Sequence, residues 1–164
     1  MASILYRMLS GIAGDISRRQ SSTVEPGILT PALPFAAFGV AAQVAAGKVV
    51  PFAAAGETAA SLFGFLVRSY PMGGANASDP LGTAVPPTVG VADLLKRGYM
   101  TVRNGAGTPA LGGVVYVRVA APAGGKPLGG VEAVADGANS VVIPNTYFTG
   151  PADASGNVEI AYNI

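Results

Sequence analysis

The chain has 164 residues, a net charge of +1, 12% charged residues, and neither His nor Cys. Without them it lacks the usual general base at neutral pH, the commonest metal ligands, thiolate nucleophiles and disulfides. With ten basic residues scattered along a nearly neutral chain, it also lacks the electrostatic footprint of a nucleic-acid binder.

The length suits one domain with a real core. That core must be built from small residues, because 29 residues are Ala, 23 Gly and 13 Pro, and Trp is absent. So much backbone punctuation predicts short strands and tight turns rather than long helices. Residues 1–35 read as an extended N-terminal arm. Ile4, Leu5, Met8, Leu9 and Ile12 fall at helical spacing at its start. Gly11, Gly14, Pro26, Gly27, Pro31 and Pro34 break any longer element. About 30 extended residues could span on the order of 100 Å. The MASILYRMLSGIAG start is too short, and too interrupted by Arg7, for a secretion signal. The uncharged stretch from 26 to 47 holds Pro31, Pro34, Gly39 and Gln43, a poor transmembrane helix, so no membrane partner is expected.

From residue 36 a single β-rich domain is expected to run to 164. Apolar segments at 38–46, 48–54 and 61–70 read as strands. SLFGFLVRSY is apolar on both faces up to Arg68, which places it centrally or between layers. Residues 71–90 are a long Pro/Gly-rich loop. VADLLKRG predicts one helical turn, followed by strands at 99–103, 113–121, 128–135, 141–143 and 158–162. VVYVRV alternates, with Val115, Val117 and Val119 on one face and Tyr116 and Arg118 on the other. GVAAQVAAGK (39–48) echoes GVVYVRVAAPAGGK (113–126), and each precedes an L-x-G-apolar step, which suggests two related β units.

The motifs carry little chemistry. DASGNVE (153–159) has the wrong spacing for a calcium loop and reads as a turn entering a strand, with Val158, Ile160 and Tyr162 on one face. NGAGTPALGG and AGGKPLGG match neither a phosphate loop nor a dinucleotide fingerprint, since Lys126 precedes Pro127 and Gly107 is followed shortly by Pro109. No G-x-S-x-G occurs, and the nine acidic residues stand singly. Asn76-Ala77-Ser78 matches a glycosylation acceptor without a secretion signal to support it. Arg18-Arg19 could meet acidic groups on a partner, although a solvated pair is the commoner outcome. The expectation is a non-enzyme with no cofactor and no metal.

The ordered pieces resemble a known family. GDISRRQSSTVEPGIL (14–29), FGVAAQVAAGKVVPFAAAGETAASLFGFLVRSYP (38–71), LLKRGYMTVRN with GGVVYVRVAAP, and PNTYFTGPADASGNVEIAYN (144–163) follow one another as in the structural cement protein Gp24-like family of tailed-phage heads. That resemblance implies a mostly β protein with a small β-sandwich or barrel-like body. It implies a virion protein made in the host cytoplasm, bound to the outer capsid surface. Its partners would be the major capsid protein and, in a dimer or other small oligomer, its own copies. The candidate capsid contacts are Ile16, Arg18, Arg19, Val24 and Ile28 in the arm and Met72, Val85 and Val89 in the loop. A phage tail or baseplate structural protein is the alternative, since the same composition fits it.

Overall fold

Residues 11–52, 58–69 and 83–164 are described by a computed structural model of the chain. The described residues form a mostly β protein. Its strands are β1 (Thr23–Ile28), β2 (Ala41–Ala45), β3 (Lys48–Pro51), β4 (Gly64–Leu66), β5 (Val91–Arg103), β6 (Val114–Arg118), β7 (Val131–Glu132), β8 (Ser140–Phe148) and β9 (Asn157–Tyr162). All strand pairs are antiparallel, in the order β3-β2-β4-β5-β9-β8-β6-β7, and β1 also pairs with β5. The sheet curls into a half-barrel. At one end Leu29, just past β1, forms a parallel bridge with Val49 of β3.

β5 joins the two halves of the sheet. Its first half pairs with β1 and β4, and its second half pairs with β9. The register with β1 slips between Thr23 and Val24, which oppose Arg97 and Leu95, so Lys96 is an extra residue on β5. The slip reverses which side chains point inward. Leu95 before it, and Met100 and Val102 after it, all enter the same core. Gly98 sits beside this bulge at φ +133, a conformation open to glycine and not to L side chains. A Cβ there would collide with Ser22.

Two cores result. The larger lies inside the half-barrel and includes Phe52, Phe65, Leu95, Met100, Val115, Val117, Phe148, Val158 and Ile160. Phe65 and Tyr162 meet edge to face at 5.1 Å across it. The smaller holds Leu29, Phe35, Phe38, Val40, Val49, Leu66 and Leu94. Adjacent residues of one strand therefore serve opposite cores: Ala41 and Ala42, Phe65 and Leu66, Leu95 and Leu94. The SLFGFLV segment is thus buried on both faces, as its composition predicts. Alanine and glycine let layers approach closely. The Ala41 N–H donates to the Gly129 carbonyl at 2.7 Å, and a Cβ on Gly129 would collide with the Ala41 carbonyl oxygen.

Several expectations are corrected. VADLLKRG is not a helical turn but the start of β5, because a strand buried on both faces loses its period-two pattern. The 128–135 strand shrinks to the two residues of β7, and 141–143 extends into the nine residues of β8. The segment at 61–70 narrows to β4, since a 3-10 turn at Ala59–Ser61 precedes it. β9, the strand after the 153–157 turn, is central in the sheet. It lies between β5 and β8. Both proposed repeat units do form a strand whose partner, β4 or β7, returns antiparallel beside it. The expected helical spacing at 4–9 and the residues Met72 and Asn76-Ala77-Ser78 lie outside the described residues.

DASGNVE is a turn feeding β9, as its spacing predicts. Asp153 Oδ1 accepts from the backbone N–H groups of Ser155 and Asn157, both at 2.9 Å. Gly156, at φ +79, donates back to the Asp153 carbonyl.

Candidate functional site

The segment expected to be an arm lies on the body. Gly14 donates to the Thr101 carbonyl (2.8 Å), Thr101 donates to the Asp15 carbonyl (2.9 Å), and Ser17 donates to the Tyr99 carbonyl (3.1 Å). Ile16 bridges Met100. A 3-10 turn at Arg19–Ser21 then loops past Gly98, with no buried residue of its own, and β1 resumes the pairing. Residues 14–28 therefore run antiparallel along β5 with a five-residue excursion in the middle.

Side chains fasten the segment to β9. Glu159 accepts from Ser17 Oγ (2.5 Å), Arg18 Nη2 (2.7 Å), Arg18 Nε (3.2 Å) and Thr149 Oγ1 (2.7 Å). The Arg18 guanidinium lies 4.0 Å from the Tyr99 ring centroid, and Asn157 Nδ2 donates to the Gly11 carbonyl. Burial pushes the Glu159 carboxyl up, but the hydrogen bonds from Arg18, Ser17 and Thr149 outweigh it and hold the group below the ordinary carboxylate range. The same hydrogen bond to Glu159 raises Arg18. A carboxyl with a lowered folded-state pKa stabilises fully above its unfolded pKa of about 4, and that share is lost as pH falls through the folded value. The urea midpoint should thus hold between pH 7 and about 5 and drop at lower pH. Glu159→Gln should flatten part of that acid slope, and an unchanged slope would refute the role given to Glu159.

The candidate contacts divide into three places. Ile16, Arg19 and Val24 line one cleft of about 490 Å³ with Asp15, Arg68 and Asp93. Ile28 belongs to a separate groove of about 480 Å³ with Pro26, Val44, Phe63 and Val91, and no lining residue there is charged. Ile28 and Val91 are cross-strand partners, 50% and 65% exposed, and Val44 is 49% exposed. Val85 and Val89 are exposed on the chain leading into β5. Arg18 is in neither cavity, being committed to Glu159 and Tyr99.

Sequence reasoning missed Val44 and Val91, which join Ile28 only once the register of β1, β2 and β5 is known. It also missed a buried charge cluster on the outer face of β6. Arg118 is 2% exposed. Its Nε donates to Glu132 Oε1 (2.5 Å), and its Nη2 donates to Glu132 Oε2 (3.1 Å) and Asp136 Oδ2 (2.6 Å). Nη1 donates to the Ala120 and Ala121 carbonyls. The hydrogen bond from Arg118 holds Asp136 below the ordinary carboxylate range. Arg118 and Glu132 are too fully engaged with each other for general acid–base work, and the cluster reads as a structural tie.

Among the described residues, no group of three or more His, Cys, Asp or Glu is placed to hold a metal ion, and no helix is long and apolar enough to cross a membrane. What the described surface offers is a groove with no charged lining residue, exposed valines and a fastened N-terminal segment.

No curated protein sequence matches the chain. Among solved structures, a chain from the capsid of Myoviridae Phage XM1 shares the fold. Its TM-score is 0.67 at 15% identity, over 98% of this chain and 95% of that one. The family model described as XM1 gp53 minor capsid protein matches residues 1–162. The chain belongs to the XM1 gp53 minor capsid protein family.

Proposed function

We propose that this chain, a phage virion structural protein by family, is a cement protein that binds the outer surface of the capsid lattice and bridges neighbouring major capsid protein subunits. The observation that carries this reading is the family match over residues 1–162, a family of minor capsid proteins. The resemblance to cement proteins points to the same class. The surface supports it: the groove around Ile28, Val44 and Val91 offers apolar area without charge, suited to an apolar segment of a partner. Val85 and Val89 extend the exposed apolar surface, and Arg19 supplies a cation at the neighbouring cleft. Many copies, each making modest contacts, would stiffen a shell by avidity. The role is non-enzymatic.

Deleting residues 1–35 would be an ambiguous test, because it strips β1 from β5 as well. Surface substitutions are cleaner. Ile28→Lys with Val91→Glu should leave the fold intact, since both side chains are already half exposed or more and the new charges oppose each other with opposite sign across the strand pair. Affinity for capsids that lack the chain should fall at least tenfold, about 1.4 kcal/mol. The measurement is titration of purified protein onto such capsids, with bound copies counted by cryo-electron microscopy. Wild-type occupancy by the double variant would sink the groove assignment. Failure of the wild-type protein to bind any capsid would sink the cement reading itself.

A further inference from the structure

The slot that holds residues 14–18 is defined by a short recognition code, and the chain carries the matching segment. The far half of β5 offers the N–H and carbonyl of Thr101 and the carbonyl of Tyr99. β9 offers the Glu159 carboxylate, with the Tyr99 ring below the bound guanidinium. The segment answers with the backbone groups of Gly14, Asp15 and Ser17, the Gly14 backbone turned at φ +91, with a hydroxyl at Ser17 and with the guanidinium of Arg18. Nothing in this code depends on the segment belonging to the same molecule.

The connection behind the segment suits exchange. Residues 17–21 are exposed, and the 3-10 turn at Arg19–Ser21 has no buried side chain. β1 beyond it is held over six residues by β5. The turn is therefore a hinge between a fixed strand and a segment fastened by backbone bonds to Thr101, Tyr99 and Arg68, by Ile16 packed against the larger core, and by the Arg18–Glu159 and Asp15–Arg68 ion pairs, with the Arg18 side chain 53% exposed. Opening such a hinge and docking the segment on an identical slot restores every contact, which makes strand exchange a low-cost route to association.

We propose that the Thr101–Glu159 slot also receives residues 14–18 of a second copy of this chain, so that neighbouring copies are linked by exchanged N-terminal segments. The proposal deepens the self-association part of the cement reading. In dilute solution the chain's own segment wins, because tethering gives it an effective concentration of roughly millimolar order. Exchange takes over where copies are crowded, as on a shell.

The test uses the full chain alone, so its failure leaves capsid binding untouched. Arg18→Glu and Glu159→Lys each put like charges at the clasp within one chain. Mixed after joint refolding, the two variants restore opposite charges at both clasps only by reciprocal exchange. Native mass spectrometry should show a one-to-one pair at least tenfold above the self-pairs of either variant. No excess of the mixed pair would overturn the proposal. Should either variant fail to fold by circular dichroism, Ser17→Cys and Glu159→Cys copies decide, because the chain has no native cysteine. Mixed at millimolar concentration and treated with a short bismaleimide, they should give Ser17→Cys–Glu159→Cys dimers well above Ser17→Cys–Ser17→Cys dimers. Equal yields would overturn it.

Discussion

Replacing Arg118 with Ala should lower the stability of the chain by about 3–5 kcal/mol, the usual cost of removing one partner of a buried ion pair. Glu132 is fully buried and receives two hydrogen bonds from that guanidinium. Without them its charge has lost its counter-ion in a low-dielectric site. The loss extends beyond the pair. Arg118 Nη1 also holds the carbonyls of Ala120 and Ala121, and Ala121 sits at φ +48, a conformation an L residue keeps only when it is tied. The chain after β6 would loosen as far as the apolar notch formed by Pro122, Pro127 and Leu128 against Leu33 and Pro34. Arg118→Met combined with Glu132→Leu should recover most of the stability, since an apolar pair of similar volume leaves no buried charge behind. Urea melts of the single and double variants measure both numbers. A single variant within about 1 kcal/mol of wild type would show that the pair is solvated in solution.

Arg118 also marks where sequence reading stops. The alternation in VVYVRV correctly put Val115, Val117 and Val119 on one face, which the fold turns into the core, and Arg118 on the other. A strand pattern says which way a side chain points, not whether another layer covers it. Here Glu132 of the adjoining strand β7 and the chain that runs on to Asp136 bury it. A strand is expected at 128–135, but its pattern does not show that only Val131–Glu132 pair or that Glu132 turns to Arg118. The reading of 91–98 as a helical turn failed for a related reason, while the strand expected at 99–103 is the second half of β5. Ala92 and Leu94 enter one core and Leu95 the other, and the Lys96 bulge then reverses the phase for Met100 and Val102. An apolar spacing of that kind imitates a helical turn.

What was legible rested on local chemistry. The 153–157 turn is set by an Asp whose carboxylate reaches two N–H groups within four residues. Val158, Ile160 and Tyr162 share a face by simple alternation. The candidate contacts were chosen for residue type, and the fold distributes them: Arg18 to Glu159, Ile28 to the groove, Ile16, Arg19 and Val24 to the cleft. The partner of Arg18 could not be read in advance, because it lies 141 positions away and meets it only through the shared neighbour β5.

Gly98→Ala should cost about 2–6 kcal/mol and release the N-terminal segment. The backbone at φ +133 is essentially closed to L residues, a strain of about 1–3 kcal/mol. The added methyl would also lie 2.8 Å from Ser22 Cα, closer than packed atoms allow, at a further cost of about 1–3 kcal/mol. The chain relieves the collision most easily by lifting Ser22 and the adjoining 3-10 turn, because that turn buries nothing. Lifting it pulls on the Ser17–Tyr99 hydrogen bond and on the Arg18–Glu159 pair. Trypsin cleavage after Arg18 and Arg19 should then speed up by an order of magnitude or so at neutral pH, before any global unfolding. Ser22→Gly in the same chain removes the side chain that meets the new methyl but not the backbone strain, so it should recover only part of the loss. Wild-type cleavage and melting in Gly98→Ala would mean that the segment is not seated on β5 at this point.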